Sequence, residues 1–445
     1  MVTPRASLHT LGCRLNQAET SILGEGLRRK GFELVEFGQP TDVLVLNTCS
    51  VTEDAERTSR YLIRKTLKHS PNAFIAVTGC YAQTGMETLK RQTGVDLIVG
   101  HQFKLDLPAY LPPAHELRKR SIPEVHHTKM IVRGDFDLPY FSESDSTRAS
   151  VKVQDGCSAM CTFCIIPFAR GHERSRRFDD IQREVESLTA RGYREIVLTG
   201  VNIGQYAHDG LNFCMLLRWL DQQPGLERIR ISSIEPTTVD EDILDLLASS
   251  TKICPYLHIP LQSGDDQVLQ AMNRRHTIKA YTKLIETALT KIPNLGLGTD
   301  LLVGFPGETD TAFRNTVAAA TDLPFSYLHV FPYSSRPGTA ALRIKQRVPS
   351  ASVKKRTTQL LDLDHAKRLA FHNKQIGKTV PVLFETGTRD SYRFGTTPNF
   401  TRVAVTDVGD LQNRILPVTI TAAANRFTFG HLTSSQHTLS AVAML

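Results

Sequence analysis

The chain has 445 residues, which is enough for two or three domains with a sizeable core. Hydrophobic residues make up 41% of it and charged residues 22%, a composition typical of soluble globular proteins. We expect a cytoplasmic protein without a membrane partner, because no stretch approaches the roughly 18 apolar residues of a membrane span and the first residues lack the apolar run of a signal peptide. The formal net charge of +8 permits a polyanionic partner such as nucleic acid without identifying one.

The first segment, residues 1–132, alternates apolar strands with polar, helix-like stretches. The stretches "SLHTLGC", "DVLVLNTC" and "AFIAVTGC" each end on a cysteine, at Cys13, Cys49 and Cys80, and "VDLIVG" follows them. This alternation predicts a doubly wound parallel sheet. Because ligands of such sheets gather at the carboxyl ends of the strands, we expect the three cysteines to lie at one edge.

A linker rich in Gly, Pro, Ser and acidic residues, 133–148, leads to the second segment, 149–340. This segment contains six apolar strand candidates, from "SVKVQDG" to "SYLHVFPYS", separated by helix-like stretches. Six units are too few for a closed eight-stranded barrel, so they predict a partial (β/α)6 barrel that is open on one side. Its active site is expected at the carboxyl ends of the strands.

A helical link, 341–377, precedes the last segment, 378–445. Short apolar strands with turn residues between them predict a small β-barrel there. The fold class expected for the whole chain is therefore α/β.

The stretch "DGCSAMCTFC" places Cys157, Cys161 and Cys164 just after the first strand of the second segment. Eight cysteines in a cytoplasmic chain argue for metal or redox chemistry rather than disulfides. Structural zinc takes four protein ligands, usually as two close pairs, and Cys214 and Cys254 stand alone and are interpreted as packing residues. A cubane iron–sulfur cluster is normally held by four thiolates, so three would leave one iron open for a small molecule. Zinc stays as the alternative.

The spacing C-x3-C-x2-C after the first strand of a partial barrel resembles the radical S-adenosylmethionine enzymes, and Phe163 matches their aromatic residue before the last cysteine. The resemblance implies a 4Fe-4S cluster whose open iron chelates S-adenosylmethionine and whose electron cleaves it to a 5′-deoxyadenosyl radical. It also implies cofactor contacts at the ends of later strands, although glycines there are equally typical of tight turns. The candidate contacts are Thr199, Gly200, Ser232, Ser233, Glu235, Gln262, Gly304 and Gly307.

The chain also has a second set of three cysteines and a predicted small β-barrel. In this arrangement it resembles the methylthiotransferases over nearly its whole length. The stretches "LHTLGCRLNQAET", "NTCSVTEDAERTSR" and "LHVFPYSSRPGTAA" resemble the MtaB branch, which converts N6-threonylcarbamoyladenosine at position 37 of transfer RNA to its 2-methylthio form. The resemblance implies an auxiliary 4Fe-4S cluster on Cys13, Cys49 and Cys80, from which the methylthio group passes to the substrate. Incidental burial of these cysteines is the alternative.

Three other functions stay open at this stage. The isopentenyladenosine and ribosomal-protein branches belong to the same family, and a non-catalytic metal-binding RNA-binding protein belongs to another class. The resemblance implies the anticodon loop of transfer RNA, an electron donor and a sulfur donor as partners, and a TRAM-like RNA-binding role for 378–445. In "ARGHERSRR" we expect phosphate contacts, with internal pairing of the basic run as the alternative. The residues in question are Arg170, Arg174, Arg176 and Arg177.

Overall fold

A computed structural model of the protein describes residues 3–139, 141, 147–406 and 409–433. Part of the expected linker (140 and 142–146) and the end of the expected C-terminal β-barrel (434–445) lie outside the described residues. Within the described ranges, no helix combines the length and apolar character needed to cross a membrane.

The N-terminal part is a six-stranded parallel sheet with strand order β2-β1-β3-β4-β5-β6. Its strands are β1 (Arg5–Thr10), β2 (Glu33–Val35), β3 (Val43–Thr48), β4 (Phe74–Gly79), β5 (Leu97–Val99) and β6 (Glu124–His126). Its helices are α1 (Arg14–Arg29), α2 (Glu53–His69), α3 (Cys80–Thr84), α4 (Met86–Lys90) and α5 (Leu107–Tyr110).

Both faces of this sheet are buried, which explains the unbroken apolar runs of its central strands. Along β3, Val43 and Val45 pack into one hydrophobic cluster and Leu44 and Leu46 into the other. Since successive side chains of a strand point to opposite faces, a sheet covered on both sides needs apolar residues at every position.

The central part is a partial barrel of six parallel strands. Two three-stranded sheets, β7-β10-β13 and β14-β15-β16, are joined by isolated bridges from Ile229 to Ile253 and from Ser233 to His258. The barrel strands are β7 (Arg148–Lys152), β10 (Glu195–Thr199), β13 (Arg228–Ile231), β14 (Tyr256–His258), β15 (Gly296–Val303) and β16 (Tyr327–Pro332). Short strands β8 (Gln154–Asp155), β9 (Arg174–Ser175), β11 (Ala207–His208) and β12 (Leu211–Asn212) lie in the connections.

Helices separate the barrel strands along the chain and supply much of a large apolar core. They are α6 (Ile166–Arg170), α7 (Phe178–Ala190), α8 (Phe213–Asp221), α9 (Glu241–Ser249), α10 (Asp266–Ala271), α11 (Ile278–Lys291) and α12 (Asp310–Asp322). The N-terminal helix α1 packs against β7 and β10, which brings the first parallel sheet against one end of the strand row.

The C-terminal part is a closed five-stranded barrel with strand order β17-β18-β19-β21-β20. It follows the long helix α13 (Ser350–Asn373), which packs on β16. Its strands are β17 (Thr379–Arg389), β18 (Tyr392–Thr396), β19 (Arg402–Thr406), β20 (Ile415–Ala423) and β21 (Thr428–Leu432). The expected α/β class, with its parallel sheet, partial barrel and small β-barrel, is confirmed.

The two barrels are fixed to each other by buried arginines of β13. Arg228 donates to the carbonyl oxygens of Thr396 (2.9 Å) and Pro381 (2.8 Å), and Arg230 donates to that of Pro398 (2.8 Å). The two guanidinium groups thereby join β13 to backbone carbonyls of β17, of β18 and of the loop after β18.

Candidate functional site

The three N-terminal cysteines come together because each follows one of three neighbouring strands. Cys13 precedes α1 after β1, Cys49 follows β3 and Cys80 begins α3 after β4. Burial, together with the nearby thiols of Cys80 and Cys13, raises the pKa of Cys49 to about 12. Ionised forms of three converging thiols would repel one another. This donor set therefore needs a cation to hold the three groups as thiolates.

Glycines before two of these cysteines allow the close approach. Gly12 and Gly79 both have φ of +94°. A Cβ atom on Gly12 would lie 2.8 Å from Sγ of Cys49, and one on Gly79 would lie 2.4 Å from the carbonyl oxygen of Thr48. Glycine is therefore required before these two cysteines for two reasons: the positive φ, and the lack of space for a Cβ atom.

The second set of cysteines lies on a loop after β8. The amide of Cys157 donates to the carbonyl oxygen of Gly171 (3.0 Å), and the amide of Ala159 donates to Sγ of Cys157 (3.4 Å). Burial raises the pKa of Cys164 to about 12, and the thiols of Cys161 and Cys157 add to the shift. Like the first set, these three thiols are free of disulfides and need a positively charged centre to ionise together.

A polar cavity with an empty volume of about 650 Å³ opens beside Cys157 and Cys161. Arg274, which the sequence reasoning missed, donates to both carboxylate oxygens of Glu235 at 3.1 and 2.5 Å and to Sγ of Cys161 at 3.6 Å. We call this the Arg274 cavity. Of the expected cofactor contacts, Glu235 lines it.

The remaining expected cofactor contacts do not line the Arg274 cavity. Gln154 accepts the amides of Val201 and Asn202 at 2.8 and 2.9 Å, which brings the loop of Thr199 and Gly200 against the cysteine loop. Ser232 donates its amide to Leu198, and Ser233 lies 3.3 Å from the ring of His258.

The glycines after β15 contact the link to α13 and not the Arg274 cavity. A Cβ atom on Gly304 would lie 2.5 Å from Val353, and the amide of Gly307 donates to the carbonyl oxygen of Gln346. A cofactor role for Gly304 and Gly307 stays a prediction.

A mainly apolar cleft with an empty volume of about 770 Å³ separates the two cysteine loops, and we call it the cysteine cleft. Val51, whose amide donates to Sγ of Cys49 at 3.4 Å, lines one side, and Cys164 lines the other. The stretch "LHVFPYS" also contributes to this cleft, although its sequence has no periodicity that predicts such a position. Its other lining residues are Thr52, Phe163, Ile165, Ile166, Gln262, Asp300, Leu302, Phe331, Pro332, Tyr333 and Ser334.

Two residues of the expected RNA-binding run are buried in internal ion pairs, which corrects that expectation. Arg170 donates to Glu19 (2.9 Å), Asp155 (2.8 Å) and Asn16 (2.6 Å), and is 1% exposed. Arg176 is fully buried and binds carboxylates of α7. Neither guanidinium faces a surface that a phosphate could reach.

The other two arginines of the run lie nearer to solvent. Arg174 stacks 5.5 Å from the ring of Phe136 and lies 3.4 Å from Asp155. Arg177 is half exposed, and Asp137 and Asp179 lie 3.6 and 3.3 Å from its Nε. Phosphate contacts by Arg174 and Arg177 stay a prediction.

Two family models match the chain. The Radical SAM superfamily matches residues 151–320, and the Uncharacterized protein family UPF0004 matches residues 5–100. The first match contains Cys157, Cys161 and Cys164, and the second contains Cys13, Cys49 and Cys80.

Curated relatives match almost end to end. The chain is 37% identical, over 95% of both chains, to the threonylcarbamoyladenosine tRNA methylthiotransferase MtaB of Bacillus subtilis (strain 168). It is 38% identical to the protein of the same name from Aquifex aeolicus (strain VF5), over 85% of this chain and 92% of that one. It is 34% identical to the tRNA-2-methylthio-N(6)-dimethylallyladenosine synthase of Maricaulis maris (strain MCS10), over 97% of this chain and 98% of that one.

Among solved structures, the radical S-adenosylmethionine methyltransferase TsrM from Kitasatospora setae, with cobalamin and a 4Fe-4S cluster bound, has a similar fold. It aligns with a TM-score of 0.51 and 16% identity, over 74% of this chain and 75% of that one. At this identity the likeness concerns the fold alone.

Proposed function

The chain belongs to the methylthiotransferase family of radical S-adenosylmethionine enzymes, and from that membership we propose that it transfers a methylthio group to carbon 2 of N6-threonylcarbamoyladenosine at position 37 of transfer RNA. Two relatives at 37% and 38% identity carry the name of that activity. The relative named for N6-dimethylallyladenosine, at 34% identity, makes that nucleoside the second candidate.

The observation that carries the proposal is the cysteine cleft. A substrate atom that is first activated at one site and then receives a group from another must lie between the two. The cleft is lined by Val51 and Thr52 from the loop after Cys49, and by Phe163 and Cys164 from the other cysteine loop. Its apolar and aromatic lining suits the face of an unpaired loop base that has been splayed out of its stack.

The residues fit one iron–sulfur cluster on Cys157, Cys161 and Cys164, and we propose a second one on Cys13, Cys49 and Cys80. Bound clusters and S-adenosylmethionine would supply the one-electron chemistry that an unactivated C–H bond requires. The chain's own part is positioning. Arg274 ties Glu235 to the loop of Cys161 beside the polar cavity in which we propose that the cofactor binds.

Transfer RNA is proposed to bind across a basic cleft between the partial barrel and the C-terminal barrel. This cleft has an empty volume of about 990 Å³ and is lined by Arg148, Arg368, Arg402, Arg426 and Phe400, among others. Glu385 in the same cleft lies 3.5 Å from Arg148 and 3.3 Å from Arg402, so we propose that phosphates replace it as their partner. Such contacts give affinity without reading sequence.

Nucleoside mass spectrometry tests the proposal. The reconstituted protein is incubated anaerobically with S-adenosylmethionine, a reductant and transfer RNA that carries N6-threonylcarbamoyladenosine. A new 2-methylthio derivative of that nucleoside is the expected product. If 5′-deoxyadenosine forms while the nucleoside stays unchanged, the substrate assignment is wrong, and transfer RNA with N6-dimethylallyladenosine is tested next.

A further inference from the structure

A cluster of two histidines and one aspartate inside the partial barrel has been given no role so far, although its aspartate lines the cysteine cleft. His258, Asp300 and His329 lie on the neighbouring strands β14, β15 and β16. Nε2 of His258 is 3.0 Å from Oδ1 of Asp300, and Nδ1 of His329 is 3.5 Å from the same oxygen. Although burial opposes it, the two imidazoles beside Asp300 hold the pKa of its carboxyl below its usual range, so Asp300 presents a carboxylate to both rings.

The cluster borders the cysteine cleft. Asp300 and Phe331 line that cleft, and the rings of His329 and Phe331 lie 6.2 Å apart on β16. Because residues two apart on a strand share a face, Tyr327, His329 and Phe331 form one row along the barrel wall. Tyr327 at the other end of the row lines the basic cleft, so His329 lies between the two clefts.

The orientation of His329 leaves one ring nitrogen for a ligand. Nδ1 is the atom that faces Asp300, and the side chain is 49% exposed. Because Nδ1 and Nε2 lie on opposite sides of the imidazole ring, Nε2 points away from Asp300. The guanidinium of Arg368, which is paired with Asp364 at 2.8 Å, lies 4.9 Å from the ring centroid of Tyr327 at the far end of the row.

The two candidate substrates differ in the group that would extend along this row. The threonylcarbamoyl substituent carries a carboxylate and a hydroxyl group, whereas the dimethylallyl substituent is a hydrocarbon. A polar site rejects an analogue that lacks the matching group, because its own polar atoms then stay unpaired. An apolar wall at the position of His329 would suit the hydrocarbon instead.

We propose that His329 is a specificity-determining residue. With both ring nitrogens protonated, its Nδ1 faces Asp300 and its Nε2–H donates a hydrogen bond to the carboxylate of the N6 substituent, while the adenine occupies the cysteine cleft. The inference rests on the proposed function and names the residue that selects its substrate. Asp300 acts through His329 as a positioning residue and does not itself contact the carboxylate.

The test compares two anticodon stem-loops, one with N6-threonylcarbamoyladenosine and one in which the threonyl carboxylate is a methyl ester. In His329→Ala, KM for the carboxylate substrate is expected to rise about tenfold to a hundredfold, the usual effect of losing a hydrogen bond to a charged group. KM for the ester, and 5′-deoxyadenosine formation without RNA, are expected to change less than about threefold. His329→Gln, which keeps an N–H donor, is expected to recover part of the loss.

The matched control is His115→Ala, because His115 is 80% exposed and pairs only with its neighbour Glu116 among the described residues. Equal losses on both substrates, or no loss on either, would overturn the role of His329. If the wild-type protein leaves N6-threonylcarbamoyladenosine unchanged, the proposed function fails and the inference falls with it. Iron content checked for each variant separates a lost contact from a lost fold.

Discussion

At the scale of single residues, the backbone next to the cysteines decides where the sulfur atoms lie. Gly79 has a left-handed φ of +94°, and its Cα stands against the backbone of Thr48. Any side chain there must move β3, which ends one residue before Cys49. Gly79 therefore determines the positions of both Cys80, which follows it, and Cys49, which follows β3.

Replacing Gly79 with Ala is expected to disrupt the N-terminal cysteine site and to leave the other one intact. The added Cβ would meet a backbone oxygen at 2.4 Å, which no side-chain rotation relieves. Iron in the reconstituted protein should fall from about eight to about four atoms per chain, if each site holds four irons. Gly31→Ala is the control, because Gly31 has a φ of +90° and nothing lies within 4 Å of its Cβ position. An unchanged iron content in Gly79→Ala would contradict this reading.

His276 beside the Arg274 cavity makes stability depend on pH. Burial lowers its pKa to about 4, with a further contribution from the charge of Arg274. The folded protein thus keeps His276 neutral while the unfolded chain takes up a proton below about pH 6.5, so its contribution is present above that pH and is lost as pH falls towards 4. Between pH 7 and 5.5 wild type is expected to lose about 1 kcal/mol more than His276→Gln. Parallel urea or thermal titrations of the two proteins measure this; identical pH slopes would contradict it.

At the scale of secondary-structure elements, α1 and α6 are held together by buried charges. Burial alone would raise the pKa of Glu19, but Arg170, Lys104 and Lys152 hold it well below its usual value. Arg170 follows the loop of Cys164, and Glu19 stands one and a half turns after Cys13. The network therefore fixes one cysteine loop relative to the other.

Glu19→Gln is expected to destabilise the protein by about 3–5 kcal/mol, because it leaves three buried cations with too little negative charge. Glu87→Gln is the matched control. Glu87 is exposed and pairs with Lys90 at 3.3 Å, so its loss is expected to cost less than about 1 kcal/mol. The free energy of unfolding from denaturant titration compares the two variants. A loss in Glu19→Gln as small as in the control would show that the network is not needed for stability.

At the scale of the whole molecule, the loop after Cys49 and the loop of Cys164, which follow strands of separate sheets, line one cleft. The helix that begins at Cys80, α3, packs against α6, which follows the loop of Cys164. The loop at Ser334 and Arg336 adds contacts to the N-terminal sheet, with hydrogen bonds to Glu53 (3.1 Å) and Glu56 (2.6 Å). The proposed substrate position is thus a property of the assembled chain.

Changing Cys13, Cys49 and Cys80 together to Ala is expected to abolish methylthio transfer while S-adenosylmethionine cleavage continues. The other cysteine site lies on a different sheet and keeps its loop contacts, such as that of Cys157 with Gly171. The measurements are 5′-deoxyadenosine by chromatography and 2-methylthio nucleosides by mass spectrometry. Cys214→Ala, a change at a buried packing residue, should retain both products. Continued methylthio transfer in the triple variant would remove the N-terminal cysteines from the reaction.

The sequence by itself determined that the six cysteines follow strands, that the fold is of the α/β class, and in which order its three parts come. These depend on local signals, since strand periodicity and cysteine spacing are set by residues a few positions apart. The same signals misplaced Arg170 and Arg176, because a basic run reads alike whether it faces water or buried carboxylates. Only the tertiary structure decided that Glu19 and Asp155 surround Arg170, and that Asp300 and Phe331 line the cleft between Val51 and Cys164. Several of these contacts join residues that are more than a hundred positions apart in the chain. Only tertiary packing brings such residues together.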